Sequence, residues 1–247
     1  MYMEEFATGD SPIHGLDPRT KIIAALVFSL VVALNHSLEA TAAAIVFPVA
    51  VIAVARISII RVLRRLVLVN GLILFLWFFL PFTFPGETIY SIGPLEVHRE
   101  GVLFALLLTL KSNAIVLAMI GLLGTSTIFS LVHALSHMGV PDKVVHLFFF
   151  CFRYVHVIHD EYGRLVRAMK IRSFKPGTNL HTYRTYAYLM GMLLVRSFDR
   201  SKRIVAAMKC RGFRGRFYLL HHYEMRKSDY LLVGCSGLCA ALIMVIR

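Results

Sequence analysis

Five stretches of the chain are almost wholly apolar and, with their flanking residues, are long enough to predict helices that cross a membrane. They run over residues 22–34, 40–55, 66–84, 102–123 and 230–246. A helix needs roughly 20 residues to cross about 30 Å of hydrocarbon, so the first two stretches must draw on flanking residues at the interfaces. The pattern therefore predicts an all-α, polytopic membrane protein with about five transmembrane helices.

A different pattern lies between the fourth and fifth stretches, where apolar residues recur every three to four positions. Residues 144–169 and 190–208 both follow this period, which is typical of a long amphipathic helix with one buried face. A shorter helix is predicted over residues 128–138. We therefore divide the chain into transmembrane helices 1–4 at residues 1–124, an amphipathic helical region at 125–228 and a final transmembrane helix at 229–247.

Lys111, near the middle of the fourth apolar stretch, interrupts an otherwise hydrophobic segment. A charge at this depth is costly unless it faces protein or water. We therefore expect the Lys111 side chain to face the helix bundle, while the sequence leaves its role open.

The basic residues are concentrated in one region. Residues 125–228 hold 18 of the 27 basic residues and 5 of the 14 acidic ones, so this region alone accounts for the net charge of +13. By the positive-inside rule, this region and the basic loop at 56–65 are predicted to be cytoplasmic. In a soluble protein such a charge would suggest nucleic acid. In a multi-pass protein of the inner membrane, with 57% hydrophobic residues and a mean hydropathy of +0.69, it predicts contact with membrane lipid and no nucleic-acid partner.

The two long amphipathic helices end in nearly the same sequence. Residues 164–174 read RLVRAMKIRSF and residues 203–213 read RIVAAMKCRGF, which are identical at seven of eleven positions at a spacing of 39. Because helix-breaking residues follow, Arg172 and Arg211 are each expected at a helix C-terminus.

An arginine at a helix tip presents a planar, permanently charged fork that suits a carboxylate in a partner protein. Two such tips predict two equivalent partner grooves. The predicted partner-binding residues are Arg172, Arg211, Lys170, Lys209, Ser173 and Gly212. The alternative is that the arginines only complement the helix dipoles or touch anionic lipid.

These paired endings resemble the Ala-Arg-Gly signatures on the coupling helices of transmembrane T components of energy-coupling-factor (ECF) transporters. Residues 14–22, HGLDPRTKI, are similar to the Leu-Asp-Pro-Arg-Thr-Lys segment of the same family. Ile171 and Cys210 replace the typical Ala, and Ser173 replaces the typical Gly. Residues 135–144 and the Phe-rich helix after them resemble the cobalt- or nickel-type branch, the CbiQ family.

The resemblance covers nearly the whole chain and implies a permease subunit of an ABC-type importer. Two ATP-binding ATPase subunits would bind the coupling helices, and a substrate-binding membrane S component would capture a cobalt or nickel ion. This chain would transmit motion between them, with no catalytic residue, no metal site and no cofactor of its own, because the ATP is bound by the partner ATPase subunits. The choice among cobalt, nickel and a vitamin, and the stoichiometry of the complex, stay open.

The 11 histidines invite a metal-site hypothesis. The pairs His133/His137 and His156/His159 have spacings that place both side chains on one helix face. Neither pair brings a third ligand at a diagnostic spacing, so the sequence predicts no metal site. It also contains no nucleotide-binding glycine-rich motif.

A membrane-embedded enzyme is the competing class of function. His156, His159, Asp160 and Glu161 form the one compact polar cluster near a predicted membrane face, with Asp160 and Glu161 as the acid/base pair. The cluster falls on the polar side of an amphipathic helix, which favours solvated charges. A scaffold that binds anionic lipid is a third class, but it does not explain the duplicated ending.

Overall fold

The structure is a computed structural model that describes residues 9, 11–83, 88–92, 95–214 and 227–245. The chain forms two compact units, which we name the membrane unit (Met1–Met138 with Tyr223–Arg247) and the helix-pair unit (Gly139–His222). The elements in chain order are α1 Pro18–Leu34, α2 Leu38–Ala44, α3 Val46–Val54, α4 Ile59–Thr83, β1 Thr88–Ile92, β2 Leu95–His98, α5 Arg99–Leu122, α6 Ile128–His137, α7 Asp142–Ile171, α8 Leu180–Cys210 and α9 Lys227–Val245. Of these, α7 and α8 form the helix-pair unit.

Three of the described helices are long and apolar enough to cross a membrane: α4, α5 and the Ser228–Val245 part of α9. The first apolar stretch is α1, which has 17 residues. The second is divided into α2 and α3 at Ile45. Pro48 accounts for this division, because it lacks an N–H and its ring clashes with the carbonyl four residues earlier. The prediction of an all-α membrane protein is confirmed, and the count of five spans stays a prediction.

The core of the membrane unit lies where α1 packs against α5 and α9. Asp17 begins α1 by accepting a hydrogen bond from the Arg19 N–H, and Pro18 follows at the first helical position. Phe28 on α1 is fully buried and belongs to a cluster with Ala114 of α5 and Ile243 of α9. Small residues on α5 let the helices approach closely.

α4 presents most of its apolar surface outward. It buries only Val62, Ile73 and Pro81, although it is 25 residues long. At its C-terminal end it packs tightly on α5, since a Cβ on Gly101 would lie 2.6 Å from the Leu80 carbonyl oxygen. The outward face suits lipid or another apolar partner.

Residues 85–100, which separate the third and fourth apolar stretches, include a two-stranded antiparallel hairpin. β1 and β2 pair with Tyr90 opposite Val97 and Ile92 opposite Leu95. The signal for it was the Gly93-Pro94 turn dipeptide between two short runs of strand-forming residues. The two turn residues themselves lie outside the described part of the chain.

The helix-pair unit consists of two helices of nearly equal length, 30 residues in α7 and 31 in α8. α7 begins two residues before the predicted start at 144, whereas α8 begins ten residues before the predicted start at 190. In the first turn of α8, the Thr182 hydroxyl accepts a hydrogen bond from the Gly177 N–H and donates one to the Asn179 side chain. The short helix α6 matches its prediction closely and belongs to the membrane unit.

Candidate partner-binding site

The C-terminus of α7 closes in a Schellman motif. The Ser173 N–H donates a hydrogen bond to the Lys170 carbonyl at 3.0 Å, and the Phe174 N–H donates one to the Met169 carbonyl at 3.1 Å. These two bonds satisfy helix-end carbonyls that would otherwise lack donors. Arg172 is the C-cap residue, as the sequence predicted.

α8 ends in the same hydrogen-bond pattern. The Gly212 N–H donates to the Lys209 carbonyl at 3.0 Å, and the Phe213 N–H donates to the Met208 carbonyl at 3.0 Å. Arg211 is the C-cap residue. The duplicated sequence thus produces a duplicated backbone geometry, with the two arginines at equivalent positions.

The two tips differ in how easily the backbone takes up this turn. Ser173 and Gly212 both adopt the left-handed region, with φ of +63° and +81°. Glycine enters this region without penalty, whereas a residue with a Cβ pays roughly 1–2 kcal/mol. The first tip is therefore the more strained of the two.

The residues predicted to bind a partner are all accessible. The exposed residues are Arg172, Arg211, Lys170, Lys209, Ser173 and Gly212. Within the described residues neither tip guanidinium forms an ion pair. Phe174, half-buried, places its ring 5.9 Å from that of Tyr186 on α8, which anchors the first tip. Each tip thus presents one Lys and one Arg outward, and their role in binding stays a prediction.

An ionic cluster joins α7 and α8 some distance from the tips. Glu161 of α7 is 8% exposed and pairs with Arg164 at 3.0 Å, with Arg200 at 3.7 Å and with Arg196 through a short hydrogen bond. The hydrogen bond from the Arg196 side chain, aided by the other two charges, lowers the pKa of the Glu161 carboxyl. The carboxylate is therefore ionised throughout the physiological range.

This pairing bears on the enzyme hypothesis. A carboxyl that acts as a general acid or base near neutral pH needs a raised pKa, and that of Glu161 is lowered. Its proposed companions His156, His159 and Asp160 are exposed along α7. The geometry gives this cluster the character of a structural ion pair.

The described residues include no group of three His, Cys, Asp or Glu side chains placed to hold a metal ion. Of the two histidine pairs, His133 and His137 contact each other edge to face, with ring centroids 4.7 Å apart. His133 is buried, so this pair belongs to the packing of α6.

A second polar cluster, buried in the membrane unit, was not indicated by any sequence pattern beyond the resemblance of residues 14–22. Asp17, Lys21 and Asp229 are 2%, 0% and 1% exposed. The Asp17 N–H donates to Asp229 Oδ1 at 2.8 Å, and Lys21 Nζ donates to Ser126 Oγ at 2.8 Å and to Thr125 Oγ1 at 3.3 Å. The cluster ties the starts of α1 and α9 to the segment between α5 and α6.

Lys111, which the sequence predicts to face the helix bundle, is partly exposed and contacts a neighbouring helix. Its Nζ donates to the Ala33 carbonyl oxygen at 2.9 Å, in the last turn of α1. A cation is favoured there because the final carbonyls of a helix lack internal donors and carry the negative end of the dipole. Nearby, Asn113 Nδ2 donates to Asn70 Oδ1 at 3.1 Å between α5 and α4.

Comparison with known proteins gives consistent matches over most of the chain. The family model CbiQ, described as cobalt transport protein, matches residues 9–221. The chain is 28% identical to a protein of Thermosediminibacter oceani over 85% of this chain and 83% of the other. It is 30% identical to one of Heliobacterium modesticaldum over 83% and 81%, and 23% identical to one of Bacillus subtilis over 87% and 85%. Each of these relatives is named energy-coupling factor transporter transmembrane protein EcfT.

Proposed function

The chain belongs to the CbiQ family and is a membrane-embedded T component of an ECF transporter, and on this premise we propose that it couples ATPase motion to the import of cobalt or nickel ions. Two ATP-binding ATPase subunits bind its helix tips, and a substrate-binding membrane S component captures the ion. ATP is held by the ATPase subunits, so this chain performs no catalysis and carries no cofactor.

The observation that carries the proposal is the duplication of one exposed helix tip. Arg172 and Arg211 occupy the same C-cap position in the same hydrogen-bonded turn, and both guanidinium groups are exposed. Two equal tips suit two equal partners, and a fork of five N–H donors suits a carboxylate in a groove. A scaffold protein that binds anionic lipid would need only positive charge, so this alternative does not explain why both helices end in the same turn.

The cobalt or nickel substrate rests on narrower support. The family is described as a cobalt transport protein, whereas the names of the relatives mention no substrate. A T component of a vitamin-type ECF importer is therefore the second candidate. The S component holds the substrate in either case.

Purification of the full-length tagged chain from its own membranes, after cross-linking, tests the assembly. We expect ATP-binding ATPase subunits and a small membrane protein to co-purify. Recovery of the intact chain without any ATPase would contradict the proposal.

Uptake assays on membranes that contain the complex test the substrate. ATP-dependent accumulation of cobalt or nickel is the expected result. Accumulation of a vitamin, with neither metal taken up, would favour the second candidate, a T component of a vitamin-type importer. The coupling role of the chain would be unaffected.

A further inference from the structure

We propose that Glu161 is a positioning residue whose carboxylate fixes the point at which α7 and α8 cross, so that a force on one tip reaches the other. The inference rests on the proposed coupling role of the tips. It assigns a task to a residue that has no part in binding either ATPase.

One of the contacts between the two helices, from Arg200 to Glu161, joins equivalent positions of the internal repeat, whereas the direct hydrogen bond to Glu161 comes from Arg196, one turn earlier on α8. Arg200 follows Glu161 by 39 residues, which is the spacing between the two duplicated endings. Arg172 lies 11 residues after Glu161, and Arg211 lies 11 residues after Arg200. At 1.5 Å per residue, each tip is therefore about 16 Å along its helix from the ion pair. Measured from Arg196, the α8 tip lies 15 residues, or about 22 Å, away, so the distances from the ion cluster to the two tips are similar but not equal.

Few apolar side chains are buried between α7 and α8. The ion pair therefore contributes much of the interaction that holds the two helices at their crossing angle. α7 buries only Val145 and Glu161, and α8 buries only Thr182 and Leu189. Beside the ion pair lies an open apolar groove of about 340 Å³ instead of a closed interface. With so few buried residues, the crossing angle depends mainly on this ion pair and on the Phe174–Tyr186 ring contact near the first tip.

The chemistry of the contact is directional. Arg196 and Arg200 of α8 and Arg164 of α7 all converge on the one carboxylate of Glu161. Charge-assisted bonds of this kind are short and geometrically demanding. A glutamine at position 161 would keep the side-chain shape but would leave three guanidinium groups facing one another without a counter-charge.

The test measures the distance between the tips in the full-length chain in lipid nanodiscs. Spin labels are placed at Cys210 and at Ile171→Cys, which are exposed, repeat-equivalent positions. The remaining cysteines, replaced by serine, are Cys151, Cys235 and Cys239. Pulsed electron resonance then gives the distribution of distances between the two labels.

Glu161→Gln should widen this distribution about twofold, because several crossing angles become populated. Asp160→Asn, the same change on the exposed neighbouring residue, is the matched control and should leave it unchanged. Arg200→Gln should widen it less. The double variant Glu161→Arg with Arg200→Glu exchanges the two charges. It should narrow the distance distribution again, because the carboxylate now on α8 would pair with the guanidinium now on α7. Equal widths for the wild type, Glu161→Gln and Arg200→Gln would overturn the inference.

A second readout separates this inference from the proposed function. In the assembled transporter, Glu161→Gln should keep both ATPase subunits bound but transport at least about fivefold less substrate per ATP hydrolysed, with partial recovery in the exchanged pair. If Glu161→Gln couples as the wild type does, the positioning role is wrong and the function stands. If the wild-type chain binds no ATPase while the label distances respond as expected, the function is wrong and the fixed crossing stands.

Discussion

Replacement of Lys21 by methionine should destabilise the membrane unit strongly. The ammonium group is fully buried, interacts electrostatically with both Asp17 and Asp229 and donates hydrogen bonds to Thr125 and Ser126. Methionine keeps the volume but removes the positive charge that interacts with the two buried carboxylates. Loss of one member of a buried ionic cluster costs about 3–5 kcal/mol. For a chain of this size, that corresponds to roughly 10 °C in melting temperature.

Thermal unfolding of the purified chain in detergent measures this effect. Lys111→Met is the matched control, because Lys111 is only partly buried and donates a single hydrogen bond to a carbonyl. It should cost no more than about 1.5 kcal/mol. The double variant Lys21→Met with Asp229→Asn removes one negative charge and should regain part of the lost stability. If Lys21→Met melts together with the wild type, the cluster does not hold the helices as described.

Three further predictions concern the helix-pair unit. Ser173→Gly should stabilise α7 by roughly 0.5–1 kcal/mol, and Gly212→Ser should destabilise α8 by a similar amount, because each position requires a positive φ. Hydrogen exchange at the two helix ends measures both changes in stability. Because the pKa of Glu161 is lowered from its ordinary value of 4.5, its contribution to stability should be constant above that pH and be lost below it; an acid titration of Glu161→Gln should lack that step. The purified chain should not bind cobalt or nickel tightly; micromolar binding by calorimetry that disappears when His156 and His159 become alanine would contradict this.

The sequence predicts the helices well where periodicity or apolar length is strong. The ends of α7 and α8 were found because breaker residues follow each arginine, and the geometry of both tips agrees with that expectation. The start of α8 was misplaced because residues 180–189 alternate aromatic and polar side chains without a clear helical period. The hairpin at β1 and β2 is too short for alternation to stand out.

The polar clusters depend on contacts that sequence patterns do not contain. Asp17 and Asp229 are 212 residues apart, and only the packing of α1 against α9 brings them together. Glu161 reads as a solvated charge on the polar face of α7, and only the crossing with α8 shows that three arginines surround it. Charged residues carry no local signal that distinguishes a buried partner from water.

We propose that the two helix tips bind the ATPases, and ATPase co-purification with tip variants tests this most directly. Loss of one guanidinium leaves a partner carboxylate unpaired, which costs about 2–5 kcal/mol and weakens binding well over tenfold. Lysine should rescue only partly, because it lacks the bidentate fork. The control is Arg167→Ala, an exposed arginine of α7 whose repeat equivalent is already Ala206.

Membrane insertion of every variant is checked separately. We expect Arg172→Ala and Arg211→Ala each to lose most of the bound ATPase and the double variant to lose all ATPase and all uptake. Arg167→Ala should behave as the wild type. A double variant that inserts normally, retains both ATPase subunits and transports at the wild-type rate would contradict it.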